Sequence, residues 1–374
     1  MTPQKTFASS NCTLADSQIW TLSEVYISSL SLSLLGSGSV IVVSMVKKRH
    51  LDGQVRPLFQ LALADFLAAA VLLSMSVINI LTGVTDPDQT STVLSIYNVC
   101  EYAIPLALSF YGTTFLLVMV YAYEAKQAVG GWRESSDGQE YSHRRSRKHT
   151  LYLLYFLAWC VPGLCFLTQV VALRNSPAEL FPSHPTTNLI TFASDTRRND
   201  YHFYCCSCIL LVYKENDSSL KVSKAFPEWY TYLMKVFFLA YVLVVITCCI
   251  VVYYRVNKWC QDRQGECMFL VEGDGFSRRN MRGIYCTARS VVLVMVVCWT
   301  PAFFLVLLSL LIPKQESLFL LYVLQAITVS LQGFLNSIAY GWLRRNFREA
   351  ALGERLALLA QNPRAFYDES LTRT

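Results

Sequence analysis

The sequence predicts an all-α integral membrane protein, a bundle of seven transmembrane helices with a short amphipathic helix after the last. Three observations predict it. Of 374 residues, 53% are hydrophobic and only 16% are charged, against about 25% charged in soluble domains, and the mean hydropathy is positive at +0.36. Seven apolar runs are each long enough to cross a hydrocarbon core of about 30 Å. Most of the 32 lysines and arginines fall in every second intervening segment, the asymmetry that marks the cytoplasmic side. The net charge of +6 is therefore read as a topology signal, not a nucleic-acid surface. No polar stretch is long enough for a separate soluble domain.

Taken in order, residues 1–21 are polar and carry Asn11-Cys12-Thr13, a glycosylation acceptor that suits an extracellular start. Span one, 22–46, is rich in serine, which a membrane helix tolerates because a hydroxyl can bond its own backbone. Lys47, Lys48, Arg49 and Arg56 form a short inner loop, and span two follows over 57–82. Span three covers 98–123 and begins with Cys100; the next loop ends in the basic run HRRSRKH before span four, 150–173, with Pro162 inside it. The long segment 174–227 reads as a hairpin over the bundle mouth. It holds Cys205, Cys206 and Cys208 and a second acceptor at Asn216. Span five, 228–254, is interrupted by Lys235; a basic inner loop leads to span six, 288–312, and span seven runs over 317–343. The tail, 344–374, begins with apolar and arginine positions spaced for a helix lying on the membrane surface. The amino terminus is expected outside and the carboxyl terminus in the cytoplasm.

Asp65 is the one charged residue in the run from Pro57 to Leu81. A carboxylate at that depth is costly and is by default a functional hypothesis. Counting about 1.5 Å per residue from the inner ends places Asp65, Thr114, Trp299, Ser39 and Asn336 in one layer. Gln332 and Asn336 are four apart and share a face of span seven. These residues are expected to line a small hydrated pocket beneath Trp299, with a sodium ion as its possible guest. Lys235, one to two turns into span five, either snorkels outward or faces the cavity, where Tyr111 and Phe303 are its candidate neighbours in binding an anionic ligand.

Several runs lie on the matching helices in the matching order: LALAD at 61–65, CWTP at 298–301, and Asn336-Ser337-Ile338-Ala339-Tyr340. Together they resemble motifs of helices two, six and seven of rhodopsin-like G-protein-coupled receptors. The chain departs from that pattern at Ser39, where an asparagine is usual, and at Glu124-Ala125-Lys126, which stands for the DRY-type triplet without its arginine. With Leu331-Gln332-Gly333 these departures point to the cyclic-AMP-receptor-like group, and FLLYVLQAITVSLQGFLNSIAYGWL at 319–343 is similar to an orphan seven-helix member of it. The resemblance implies a plasma-membrane receptor that takes an extracellular ligand, contacts a heterotrimeric G protein inside and modulates cyclic AMP. It gives Trp299 and Pro301 the role of a hinge and Tyr340 a place in the switch.

Enzyme and transporter readings find little support. All five histidines lie in proposed loops, no HExxH occurs, and Asp65 has no second mid-membrane carboxylate for acid–base work. No halves repeat as many transporters require. No cofactor and no nucleic-acid partner is expected. The runner-up is a seven-helix scaffold or chaperone that has lost coupling, for which the missing arginine argues. Outer cysteines sit in an oxidising compartment, so a disulfide is predicted from Cys100 to one of Cys205, Cys206 or Cys208, with Cys206 taken as the partner. Unreduced peptide mapping is expected to recover Cys100 in a cross-linked pair; recovery as an alkylated thiol alone would remove the bridge.

Overall fold

Leu and Ala, both strong helix formers, dominate LALADFLAAAVLL, the run that carries Asp65. The structure is a computed structural model that describes residues 14, 16–46, 55–84, 90–130, 140–175, 209–210, 235–236, 238–248, 250–251, 254, 258, 275–311 and 315–342. Apart from bends or turns at Leu14, Ile209, Leu210 and Leu331, its described residues are helical: α1 Asp16–Val46, α2 Val55–Val84, α3 Thr90–Gly130, α4 Glu140–Asn175, α5 Phe238–Cys248 and α6 Gly275–Leu311. A 3-10 turn, Gln315–Leu318, leads into α7 Phe319–Ser330, α8 Gln332–Asn336 and a π turn over Ser337–Trp342. Five of these helices are long and apolar enough to cross a membrane, six if α7 and α8 count as one bent span, and α5 is a shorter apolar helix. The chain is thus a multi-pass membrane protein with an all-α bundle. The proposed hairpin, the tail helix, both glycosylation sites (Asn11, Asn216) and Cys205, Cys206 and Cys208 lie outside the described residues.

Pro57 sits in the first turn of α2, where its missing N–H removes no helix bond. Pro105, Pro162 and Pro301 each lie inside a continuous helix. The serines of α1 behave as the sequence suggests: Ser23 donates to the Ile19 carbonyl at 3.0 Å, and Ser37 to Ser33 at 2.7 Å. A buried hydroxyl is satisfied without a partner helix in this way.

Helix α3 is the axis of the bundle and α4 its lipid side. In the most apolar 18-residue stretch of the α3 span 56% of the residues are buried, against 11% in that of α4. Exposed Leu153, Phe156, Leu164, Leu167 and Val171 on α4 are the apolar surface that hydrocarbon solvates. Neighbours pack in sequence from α1 to α4, α6 packs on α3 and α7, and α1 closes the ring against α7 and α8.

The closure depends on glycine. A β-carbon at Gly36 would lie 3.0 Å from the Phe334 Cα and 2.6 Å from the Ser337 hydroxyl, whereas one at Gly163 on α4 would meet nothing within 4 Å. Between α7 and α8 the axis bends by 40° at Leu331. The α-type bonds persist across the bend, Leu331 N–H to the Ile327 carbonyl and Leu335 N–H to the Leu331 carbonyl, both 2.9 Å. Gly36→Ala is expected to destabilise by about 1–3 kcal/mol through overpacking, while Gly163→Ala should stay within about 1 kcal/mol of wild type or gain slightly from helix propensity. Thermal unfolding of the two variants in nanodiscs checks the contrast.

Candidate functional site: a buried carboxylate under an indole

Asp65 on α2 is 1% exposed. Its Oδ1 accepts the Thr114 hydroxyl at 3.1 Å and the Gln332 Nε2 amide at 2.9 Å; its Oδ2 accepts the Asn336 Nδ2 amide at 2.9 Å. Helices α2, α3 and α8 therefore converge on one carboxylate. Hydrogen bonds to a charged group contribute about 1.5–3 kcal/mol each, and three of them offset much of the cost of placing this group in hydrocarbon.

Gln332 does more than donate. Its Oε1 accepts the indole N–H of Trp299 at 2.6 Å, so one amide joins α6 to Asp65 with both its ends engaged. Above this bond the indole is packed by aromatic rings. Tyr111 meets it edge-on with centroids 5.3 Å apart, Phe115 edge-on at 4.9 Å, and Phe238 of α5 tilted at 6.3 Å. Perpendicular and tilted pairs at these distances are the favoured geometries for aromatic quadrupoles. On the inner side, Trp299, Phe115, Val242, Val245, Ile246, Met295 and Val296 line an apolar seam between α3, α5 and α6. The indole is thus held by one polar bond and otherwise by apolar surfaces.

Of the residues singled out in the sequence, Asp65, Thr114, Trp299, Gln332 and Asn336 form one connected set. Ser39 donates to the Gly36 carbonyl of its own helix at 2.7 Å. The α1 hydroxyl that approaches the site is Ser33: a β-carbon on Gly333 would run into its Oγ and would lie 3.2 Å from the Asp65 Cβ. Pro301 lies two residues beyond Trp299 within α6, and Tyr340 is a position on the π turn, a local geometry often found at functional sites. Tyr111 is drawn into the aromatic floor, 2% exposed, with its hydroxyl 3.4 Å from the Val329 carbonyl. Phe303, one turn outward from Trp299, meets Phe304 edge-on at 5.7 Å, and Lys235 is half-buried. Cys100 lies on α3.

Two buried polar pairs were not legible as such in the sequence. The Tyr26 hydroxyl donates to Gln325 Oε1 at 3.2 Å, and Asn79 Nδ2 to the Ser23 hydroxyl at 2.9 Å. They tie α1 to α7 and α2 above the Asp65 layer. The signal available was Asn79 itself, an amide in an apolar run.

Among the described residues no group of three or more His, Cys, Asp or Glu could hold a metal ion. A sodium ion at Asp65 would need oxygens turned toward it. Gln332 and Asn336 turn N–H groups to the carboxylate, while the Asn336 Oδ1 is buried without a hydrogen-bond partner.

The family model described as transmembrane protein 116 matches residues 194–364. The match supports the identification of the chain with that family. It takes in Trp299, Gln332 and Asn336, and it agrees with the likeness carried by 319–343. Asp65 and Thr114, which complete the network, lie before the matched stretch.

The joint role of Gln332 is measurable. Gln332→Leu strands the indole N–H and removes one donor from Asp65, and a stranded buried polar group costs about 1–3 kcal/mol. Trp299→Phe is expected to cost less in the Gln332→Leu background than in wild type. A coupling of about 1 kcal/mol or more, in the range for directly bonded neighbours, should appear in a double-mutant cycle of thermal unfolding.

Proposed function

We propose that the chain is a plasma-membrane receptor, amino terminus outside and carboxyl terminus in the cytoplasm, that passes an extracellular signal to a heterotrimeric G protein and so modulates cyclic AMP. The observation that carries this reading is the Trp299–Gln332–Asp65 relay. A ligand that displaces the aromatic floor above Trp299 would pull the indole from Gln332, free that amide and loosen α8 and α6 from Asp65. Such a device needs two discrete packings, and a ligand shifts them only by its differential affinity for the two. Tyr111, Phe303 and Lys235 are the proposed ligand contacts, with the cation favouring an anionic ligand. Glycans at Asn11 and Asn216 and the Cys100 bridge belong to the same outward-facing reading.

A second reading, a scaffold or chaperone without G-protein coupling, is favoured by one observation: Ala125 follows Glu124 where the resembled receptors carry arginine. Guanine-nucleotide exchange on purified full-length protein in nanodiscs separates them. The receptor reading expects basal exchange that Gln332→Leu raises several-fold, because the variant releases the relay without a ligand. Exchange that stays at the G-protein blank for wild type and variant alike, with no change in cellular cyclic AMP on expression, favours the scaffold.

A further inference from the structure

Glu124 closes the inner end of the α3 span, and its Oε2 accepts the phenol hydroxyl of Tyr155 on α4 at 2.6 Å. That length is typical of a hydroxyl donating to a carboxylate, a bond about twice as strong as one between neutral groups. We propose that Tyr155 is a positioning residue: acting through Glu124, it latches the inner end of α3 to α4.

The rest of α4 makes the latch conspicuous. This helix is the lipid side of the bundle, and farther along it the contact with α3 at Gly112 is apolar. Ala158 is buried, and Pro162 packs at Gly112, where a β-carbon would lie 3.5 Å from the proline Cβ. Tyr155, Ala158 and Pro162 are spaced three and four apart and so share one helix face. Apolar contacts alone oppose sliding only through packing, since lipid solvates such surfaces about as well as protein does. A short polar bond at the membrane edge does oppose it, because either group, if separated, would be left partly desolvated.

The position of the acid matters as well. One turn before it, Tyr121 is 5% exposed, so the last turn of the α3 span is set from inside by Tyr121 and from the α4 side by Tyr155. Helix α3 also packs on α6. Holding its inner turn against α4 fixes the surface it offers to α6. With Ala125 next in sequence, the acid's partner here is a phenol from α4. The consequence for signalling rests on the receptor reading above; the latch itself rests on the contact.

Amide hydrogen exchange on the full chain in nanodiscs tests it, read over residues 119–130. Tyr155→Phe keeps the ring and removes only the donor, and it is expected to speed exchange there at least fivefold while leaving residues 60–70 unchanged. Glu124→Leu should match it, and the double variant should add nothing further. Glu124→Gln, whose amide oxygen still accepts but without the charge, should fall between wild type and Glu124→Leu. Tyr155→Phe within twofold of wild type would overturn the latch, as would Glu124→Gln as fast as Glu124→Leu. Nucleotide exchange measured on the same samples keeps the two ideas separate: a G-protein signal silent in every variant, with the amide pattern as expected, removes the receptor reading and leaves the latch standing.

Discussion

A carboxylate inside a bilayer must be met by donors from its surroundings, and that requirement organises this bundle. Asp65 cannot draw three side chains from its own helix, so α3 supplies a hydroxyl and the α7–α8 segment two amides. Bringing α8 that close to α2 needs the bend at Leu331 and a residue without a side chain at Gly333. The polar requirement at one atom pair thus sets the backbone path of a helix that is otherwise apolar. Removing the acid would relax the constraint on all three neighbours at once, which is why buried polar networks specify a single arrangement more sharply than apolar contacts do.

The same network joins the aromatic floor to the carboxylate. Trp299 could pack among Tyr111, Phe115 and Phe238 as any aromatic would. Its N–H, though, is buried and has to find an acceptor, and Gln332 is the acceptor. The amide that satisfies the indole is the amide that satisfies the carboxylate. The two ends thus share a single planar side chain.

Much of this was legible in the sequence. The Asp65 layer followed from helix rise and from the rarity of charge in an apolar run, and the Gln332–Asn336 pairing from their four-residue spacing. The all-α membrane fold followed from composition and run length. What was hidden depended on lateral packing between helices, which linear spacing does not encode. Ser39 was placed at the site by depth, but depth says nothing of azimuth, and its hydroxyl turns back to Gly36. Ser33 reaches the site because α1 crosses α8 at Gly36 and Gly333, a crossing decided by which residues lack side chains on the facing surface. Tyr155 looked like one more aromatic in a lipid-facing span, and only its position beside Glu124 sets it apart.

The Ser33–Gly333 contact carries a further implication about what kind of information these two positions hold. The serine hydroxyl fills the volume that a β-carbon at 333 would take, so what is fixed is the sum of two side chains on different helices and not the identity of either. A hydroxyl could equally be carried on α8 opposite a glycine on α1. Each position read alone would then look freely variable, and only the pair, taken together across roughly three hundred residues of intervening sequence, would reveal that the site admits one small polar group and no more.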